Sequence, residues 1–291
     1  MLVNIAIADA YGASFEFKDK RFVDLHNTGT SYVTGAGRTQ PGHYTDDTQM
    51  SLALAELLIE NTQWTRFKLA AKFLEVFKRD PRPGYAGGFY HFLKNTQSPQ
   101  EFLKNIRPDS TKSGAAMRAA PLGILNSIDE VIAKNYLQAS ITHNTQEGIS
   151  SSLAVALASH YFYHELGSKK NLPTFLSCFV QGDWSTPWKG AVSVEGVDCV
   201  KSALTAIQQS NSLEELLIKS VDFTGDTDTV AAIALGIVNQ SPLFENDLSP
   251  ALYHGLENGE FGYDYLLEAD NKISNENIYQ KKVLGTILIK K

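Results

Sequence analysis

The stretch Tyr44-Thr45-Asp46-Asp47-Thr48-Gln49-Met50 places two adjacent carboxylates where an apolar segment, Met50 to Ile59, begins. Helix capping accounts for one acid: Thr45 or Asp46 can serve as an N-cap, and an acid in the first turn complements the helix dipole. A second adjacent carboxylate adds repulsion. Ahead of a segment that is apolar on almost every side, as buried helices are, it needs a reason of its own.

Outward from this stretch the pattern stays helical. Phe67 to Phe77 repeats apolar residues at helical spacing (Leu69, Ala70, Phe73, Leu74, Phe77) and stops near the breaker Asp80-Pro81-Arg82-Pro83-Gly84. Ala115 to Leu125 is rich in Ala and Leu, with one proline at Pro121. Ser150 to Leu166 reads as a long helix ending at Gly167, and Val230 to Val238 is apolar on most sides. Leu213 to Val221 and Ala251 to Leu256 carry weaker helical signals. Asn277 to Ile289 holds a short strand-like alternation that this length leaves ambiguous. No 20–50-residue repeat and no low-complexity linker divides the chain. The expected fold class is all-α, as one domain spanning residues 1–291.

The composition, 43% hydrophobic and 20% charged over 291 residues, is that of a globular protein with a sizeable core. No apolar run approaches the ~18 residues of a membrane span, and the N-terminus lacks the pattern of a signal peptide. Cys178 and Cys199 form no Cys-x-x-Cys pair, so neither a zinc site nor a disulfide framework is expected, and a reducing cytoplasm is the default location. A net charge of -6 argues against a nucleic-acid partner. It leaves room for a small anionic ligand held by backbone N–H groups and metal ions.

Phe223-Thr224-Gly225-Asp226-Thr227-Asp228-Thr229-Val230 repeats the grammar of the opening stretch: acids and threonines, then the apolar segment Val230 to Val238. The two clusters lie about 180 residues apart, so only the fold can unite them. If it does, Asp46, Asp47, Asp226 and Asp228 share one small volume beside the hydroxyls of Thr45 and Thr229. Such a concentration of charge is costly without cations. Two divalent ions would balance it, and all-oxygen donors suit Mg²⁺, Mn²⁺ or Ca²⁺ rather than zinc. Each motif alone reads more readily as a capped helix; the pair, with surplus acids at both, favours a metal site.

The chain resembles the ADP-ribosylglycohydrolase family, hydrolases that remove ADP-ribose from modified side chains. The resemblance rests on Ala8-Asp9-Ala10-Tyr11-Gly12-Ala13-Ser14-Phe15-Glu16-Phe17, on Tyr44 to Met50, on Ser113-Gly114-Ala115-Ala116-Met117-Arg118-Ala119-Ala120-Pro121-Leu122-Gly123, on Thr142-His143, and on Gly225 to Ile233. These stretches run in family order across most of the chain. The resemblance implies an all-α orthogonal helical bundle with a two-metal centre, Mg²⁺ or Mn²⁺, held by Thr45, Asp46, Asp47, Asp226, Asp228 and Thr229. It implies that Glu16 lies near the metals on a mobile loop and His143 near the ligand. The Ser110–Met117 segment, with Ser110, Ser113, Gly114 and Met117, would hold the diphosphate and ribose. Two departures stand out: Lys112-Ser113-Gly114 replaces Gly-Asn-Gly, and Ala8-Asp9 replaces Gly-Asp.

The implied reaction breaks the glycosidic bond at the distal ribose of ADP-ribose carried by a protein or a small molecule, with arginine the first expectation for the modified side chain. Metals would fix the ribose hydroxyls and a water, and Asp46, Asp228 and Glu16 are equal candidates for the base. A two-carboxylate glycosidase scheme would need no metal. Asp80 occupies the region where arginine-directed relatives can place an acid against the guanidinium; its competing reading is a turn residue before proline. A non-catalytic or crystallin-like relative, and a hydrolase of another linkage such as serine, are the alternative functions. His160 and His164 have a zinc-compatible spacing but no Glu follows His160, so packing is the expectation. His43 reads as a loop residue, Trp184 and Trp188 as a packed turn, and Gly35-Ala36-Gly37 is too short for a nucleotide fingerprint.

Overall fold

The computed structural model describes residues 1–34 and 39–274. Gly35-Ala36-Gly37 and the Asn277–Ile289 alternation lie outside the described residues. In chain order the helices are α1 (Leu2–Gly12), α2 (Lys20–His26), α3 (Asp46–Ile59), α4 (Arg66–Arg79), α5 (Gly87–Asn95), α6 (Pro99–Asn105), α7 (Ile128–Ser140), α8 (Gln146–Tyr163), α9 (Leu172–Ser177), α10 (Gly196–Gln209), α11 (Leu213–Asp222), α12 (Thr227–Val238) and α13 (Pro250–Gly255). A last helical stretch covers 263–274. Among the described residues there are isolated β-bridges but no strand, so the expected all-α class holds. No helix among them is long and apolar enough to cross a membrane.

The centre is built from α1, α3 and α12. Every residue of α12 is buried, as is α3 from Asp46 to Leu57. Helix α12 packs most extensively on α1, and α11, α10 and α8 flank it. The amphipathic helices α4, α10 and α11 form the outer layer, with one apolar stripe inward. The crossing of α1 over α12 is unusually close. A Cβ on Gly12 would sit 2.5 Å from Asp228 Cα, and the Thr227 hydroxyl donates to the Gly12 carbonyl at 2.9 Å. Only glycine permits this approach, and it lays the last turn of α1 on the first turn of α12.

The same helix reaches α3. Asp9 Oδ2 accepts from the Thr45 N–H at 2.9 Å, the Thr48 N–H at 3.0 Å and the Thr48 hydroxyl at 2.6 Å; Oδ1 accepts from the Thr45 hydroxyl at 2.7 Å. Thr45 occupies the N-cap position of α3 but caps nothing with its own side chain. Thr45 thus holds the N-cap position the sequence predicts, but the side chain that accepts from the free N–H groups is a carboxylate from α1. Asp46 and Asp47 are thereby released to point elsewhere.

Other boundaries follow local chemistry. Helix α4 opens with the Thr65 hydroxyl accepting from Lys68 N–H, and ends with Lys78 and Arg79 before Asp80-Pro81. Helix α8 starts four residues before the expected Ser150 because Thr145 caps it. It stops at Tyr163, where Glu165 turns left-handed (φ 52°). The Ala115–Leu125 run is not a helix. It forms two short 3₁₀ turns, Ser113–Ala115 and Ala120–Ile124; Pro121, at the start of the second, has no N–H with which to carry an α-helix through.

Candidate active site

The first turn of α3 and the first turn of α12 meet, with α1 beneath them. Asp9, Asp46, Asp47, Asp226 and Asp228 are all buried. One carboxylate oxygen from each of Asp9, Asp47 and Asp228 lies within 4.8 Å of the others. Burial pushes the carboxyls of Asp46, Asp47 and Asp228 well above the usual range. Neighbouring charge pushes them further, chiefly Asp9 on Asp46, Asp46 on Asp47 and Asp226 on Asp228. Asp226 and Asp9 are also raised by burial but are partly relieved by hydrogen bonds, from Asp228 and Thr229 in the first case and from Thr48 and Thr45 in the second. Cys199 lies under the cluster, its Sγ 3.5 Å from Asp226 Oδ2.

Asp47 Oδ1 and Asp228 Oδ1 are buried and have no hydrogen-bond partner. Two orphaned carboxyl oxygens in one pocket are satisfied either by protons or by a cation, and only a cation lets the whole cluster stay ionised. With only oxygen donors, the arrangement fits hard divalent cations. Asp46, Asp47, Asp226, Asp228 and Thr229 would hold them from the cleft side. Thr45 faces Asp9 instead, with Asp47 Oδ2 at 3.5 Å from its hydroxyl.

These acids belong to a cleft of about 580 Å³, within the range of small-molecule sites. Glu16, Asp46, Asp47, Asp226, Asp228, Thr229, Ser110, Ser113, Gly114, Met117 and His143 all line it. Their assembly depends on a sewn loop. Ser113 N–H donates to Val194 O (3.0 Å), Gly196 N–H to Thr111 O (3.0 Å), and the Thr145 hydroxyl to Ser110 O (2.8 Å). On the other side Gly84, left-handed at φ 103°, fits against Asp46, and Asp46 N–H donates to Pro83 O at 3.1 Å.

Asp80 is not part of this lining. Its carboxylate accepts from Arg82 (Nε at 2.7 Å), and Arg82 also pairs with Glu257 and stacks 3.9 Å over the Tyr44 ring. His43 contacts Glu257 in its loop at 3.3 Å. His160 and His164 each meet a backbone carbonyl, of Gly123 and Leu125, with rings 4.2 Å apart, in keeping with packing. Trp184 is buried, and Trp188 Nε1 donates to Gly190 O at 2.9 Å.

Sequence reasoning missed Asp9 as a member of the cluster. Its signal was a lone acid inside the apolar run Leu2 to Ala10. It also missed the aromatic lining, Tyr85, Phe89 and Phe92, and the cations Arg107, Lys112 and Arg118. The cleft thus carries both signs of charge and flat apolar surface, which suits a ligand with a polyol, an anion and a planar ring.

The ADP-ribosylglycohydrolase family profile matches residues 1–238. The chain is 24% identical over 251 residues to ADP-ribosylarginine hydrolase Tri1 of Serratia proteamaculans (strain 568), covering 79% of this chain and 67% of that protein. It is 26% identical over 257 residues to ADP-ribosylhydrolase ARH3 of Mus musculus, covering 69% and 70%. A solved structure described as an ADP-ribosylglycohydrolase-related protein complex superposes with a TM-score of 0.73 at 20% identity, over 95% of this chain and 96% of that one, which shows the shared fold. With that profile matched over residues 1–238 of 291, the chain belongs to the ADP-ribosylglycohydrolase family of hydrolases.

Proposed function

We propose that this chain is a metal-dependent hydrolase that removes ADP-ribose from a modified side chain, arginine foremost, by cleaving the glycosidic bond at the distal ribose. The observation that carries this reading is the pair of orphaned oxygens, Asp47 Oδ1 and Asp228 Oδ1, inside a buried acidic cluster that opens on a nucleotide-sized cleft. A purely structural relative has no use for that arrangement, which is costly unless cations occupy it. Two divalent cations, Mg²⁺ or Mn²⁺, would supply orientation of the ribose hydroxyls and a more acidic water. The activities for which both relatives are named support the ADP-ribosyl part, and that of Tri1 supports the arginine part. The proposed setting is the cytoplasm, where both thiols would stay free, with ADP-ribosylated proteins or small ADP-ribosyl substrates as partners.

In this scheme the water oxygen bonds to the anomeric carbon as the bond to the side-chain nitrogen breaks. A carboxylate of Asp46, Asp228 or Glu16 takes the water's proton, and the departing nitrogen gains one. Ser110, Ser113, Gly114, Met117 and His143 hold the diphosphate and ribose so that the anomeric carbon meets the acids. Asp80 would reach a substrate guanidinium only by releasing Arg82. A guanidinium role therefore predicts that Asp80→Asn raises KM for ADP-ribosyl-arginine and leaves an ADP-ribosyl-serine substrate untouched.

The test is release of ADP-ribose from arginine- and serine-modified peptides in Mg²⁺, Mn²⁺ or EDTA, with Asp228→Asn alongside. Release that requires metal and Asp228 is expected. Full activity in EDTA would sink the metal-dependent scheme. Release from serine alone would move the linkage, and ADP-ribose binding without any release would make the chain a non-catalytic binder.

A further inference from the structure

Arg118 is 1% exposed, yet among the described residues no carboxylate pairs with it. It is held by neutral groups: Nε donates to Gln138 Oε1 (2.6 Å), Nη2 donates to Gln138 O (2.8 Å) and to the Thr142 hydroxyl (2.9 Å), and the guanidinium lies 4.6 Å over the Phe73 ring. Thr142 Oγ1 in turn lies 2.7 Å from His143 Nδ1. All three side chains line the cleft wall, Arg118 being the most deeply buried, so the chain Arg118–Thr142–His143 runs along that wall.

The direction of these bonds follows from counting hydrogens. A guanidinium only donates, so the Thr142 oxygen accepts from Arg118. The Thr142 hydroxyl hydrogen then needs an acceptor, and the other polar atom in contact is His143 Nδ1. If Nδ1 carried a proton, Thr142 would face two donors and its own buried hydrogen would be stranded, an arrangement that costs about as much as a lost hydrogen bond. Nδ1 is therefore the acceptor. Burial, reinforced by the charge of Arg118, lowers the His143 pKa to about 3, so the ring is neutral and its single proton sits on Nε2. That edge faces the ligand loop: a Cβ on Gly114 would lie 3.2 Å from Nε2 and 3.0 Å from Cε1.

We infer that Arg118 is a positioning residue that, through the Thr142 hydroxyl, fixes His143 as the Nε2–H tautomer and so presents a neutral donor to a phosphate or ribose oxygen of the ligand. Lacking any acceptor, Arg118 sets the polarity of the relay. The ligand assignment rests on the proposed function; the tautomer assignment rests on the fold alone.

The experiment is ¹⁵N NMR of the histidine rings in the full chain without ligand, paired with calorimetric titration of ADP-ribose. Wild type should show a pyridine-type Nδ1 and a pyrrole-type Nε2 for His143. Thr142→Val should lose that pattern and weaken ADP-ribose binding about tenfold, the size of one hydrogen bond to a charged ligand. Thr142→Ser, which keeps the hydroxyl, should restore both. Arg118→Met should give a mixture of tautomers, and the Thr142 pair decides the matter if that variant does not fold. A protonated Nδ1 in wild type, or an unchanged tautomer in both Thr142→Val and Arg118→Met, overturns the inference. The expected tautomer without any ADP-ribose binding would overturn the ligand role and the functional reading and leave the positioning of the ring established.

Discussion

Replacing Asp228 by asparagine should stabilise the metal-free protein and remove most of the stabilisation that metal gives wild type. Asp228 is 4% exposed, its Oδ1 has no partner, and Asp226 and Asp47 press charge on it from either side. Asparagine keeps the shape, removes one negative charge and offers two hydrogens to the neighbouring carboxylates. An unsatisfied buried polar group costs about 1–3 kcal/mol, and at roughly 2 °C per kcal/mol for a chain of this size the melting temperature in EDTA should rise by roughly 2–6 °C. Metal at a hundred times its dissociation constant stabilises wild type by about 2.7 kcal/mol, or roughly 5 °C, and the variant should gain little of this. The gap between the two curves should therefore move by roughly 5 °C in favour of wild type between EDTA and Mn²⁺ in differential scanning fluorimetry. The pH dependence has a fixed sign. A carboxyl raised in the native state favours the protonated form, so its contribution is present below the unfolded value and lost as pH rises through the folded one. Metal-free wild type should thus lose stability as pH rises from about 4, the unfolded carboxyl value, toward neutrality, with a shallower dependence in Asp228→Asn. A variant that melts lower than wild type in EDTA, or that gains as much from Mn²⁺, refutes the idea that the cluster is a charge-strained cation site.

Three further perturbations probe how the cage is held. Gly84→Ala would place a Cβ 2.0 Å from Asp46 Oδ1 in a left-handed backbone (φ 103°); steady-state assays should show kcat/KM reduced on the order of 10²-fold as Asp46 is displaced, and an unchanged rate would show that Asp46 need not be fixed. Asp9→Ala uncovers two N–H groups of α3 and two hydroxyls, so urea denaturation should report a loss of about 2 kcal/mol, opposite in sign to Asp228→Asn in EDTA. Glu56 is surrounded by Arg79, Lys72 (3.1 Å) and the Tyr265 hydroxyl (2.8 Å). Burial works to raise its pKa, but the hydrogen bond and charge of Arg79 hold it below the usual value. That stability is present above the unfolded pKa and is lost as pH falls through the folded one, so thermal melts below about pH 4 should drop more steeply in wild type than in Glu56→Gln.

What the sequence disclosed and what it concealed divide along one physical line. The starts of α3 and α12 were legible because surplus charge before an apolar segment is locally anomalous, and the anomaly is visible without knowing what the segment packs on. Helix α4 was legible because its period and its Asp80-Pro81 stop are both local. Helix α1 left no period: it is apolar on all sides, so nothing marks a face, and its one acid reads as an isolated oddity. Yet Asp9 caps α3 across 36 residues of sequence and joins the cluster with Asp47 and Asp228. The role of Gly12 is equally hidden, since its reason is the backbone of Asp228 more than 200 residues away. Arg118 lay within a motif that marks the family, but its unpaired burial and its route to His143 through Thr142 exist only once α7 and the turns around Ala115 are packed. Local charge excess thus announces which residues carry the chemistry, while the residues that aim them are known only from their partners. A site built this way is sensitive to substitutions at Gly12, Asp9 and Arg118 that leave every candidate metal ligand in place.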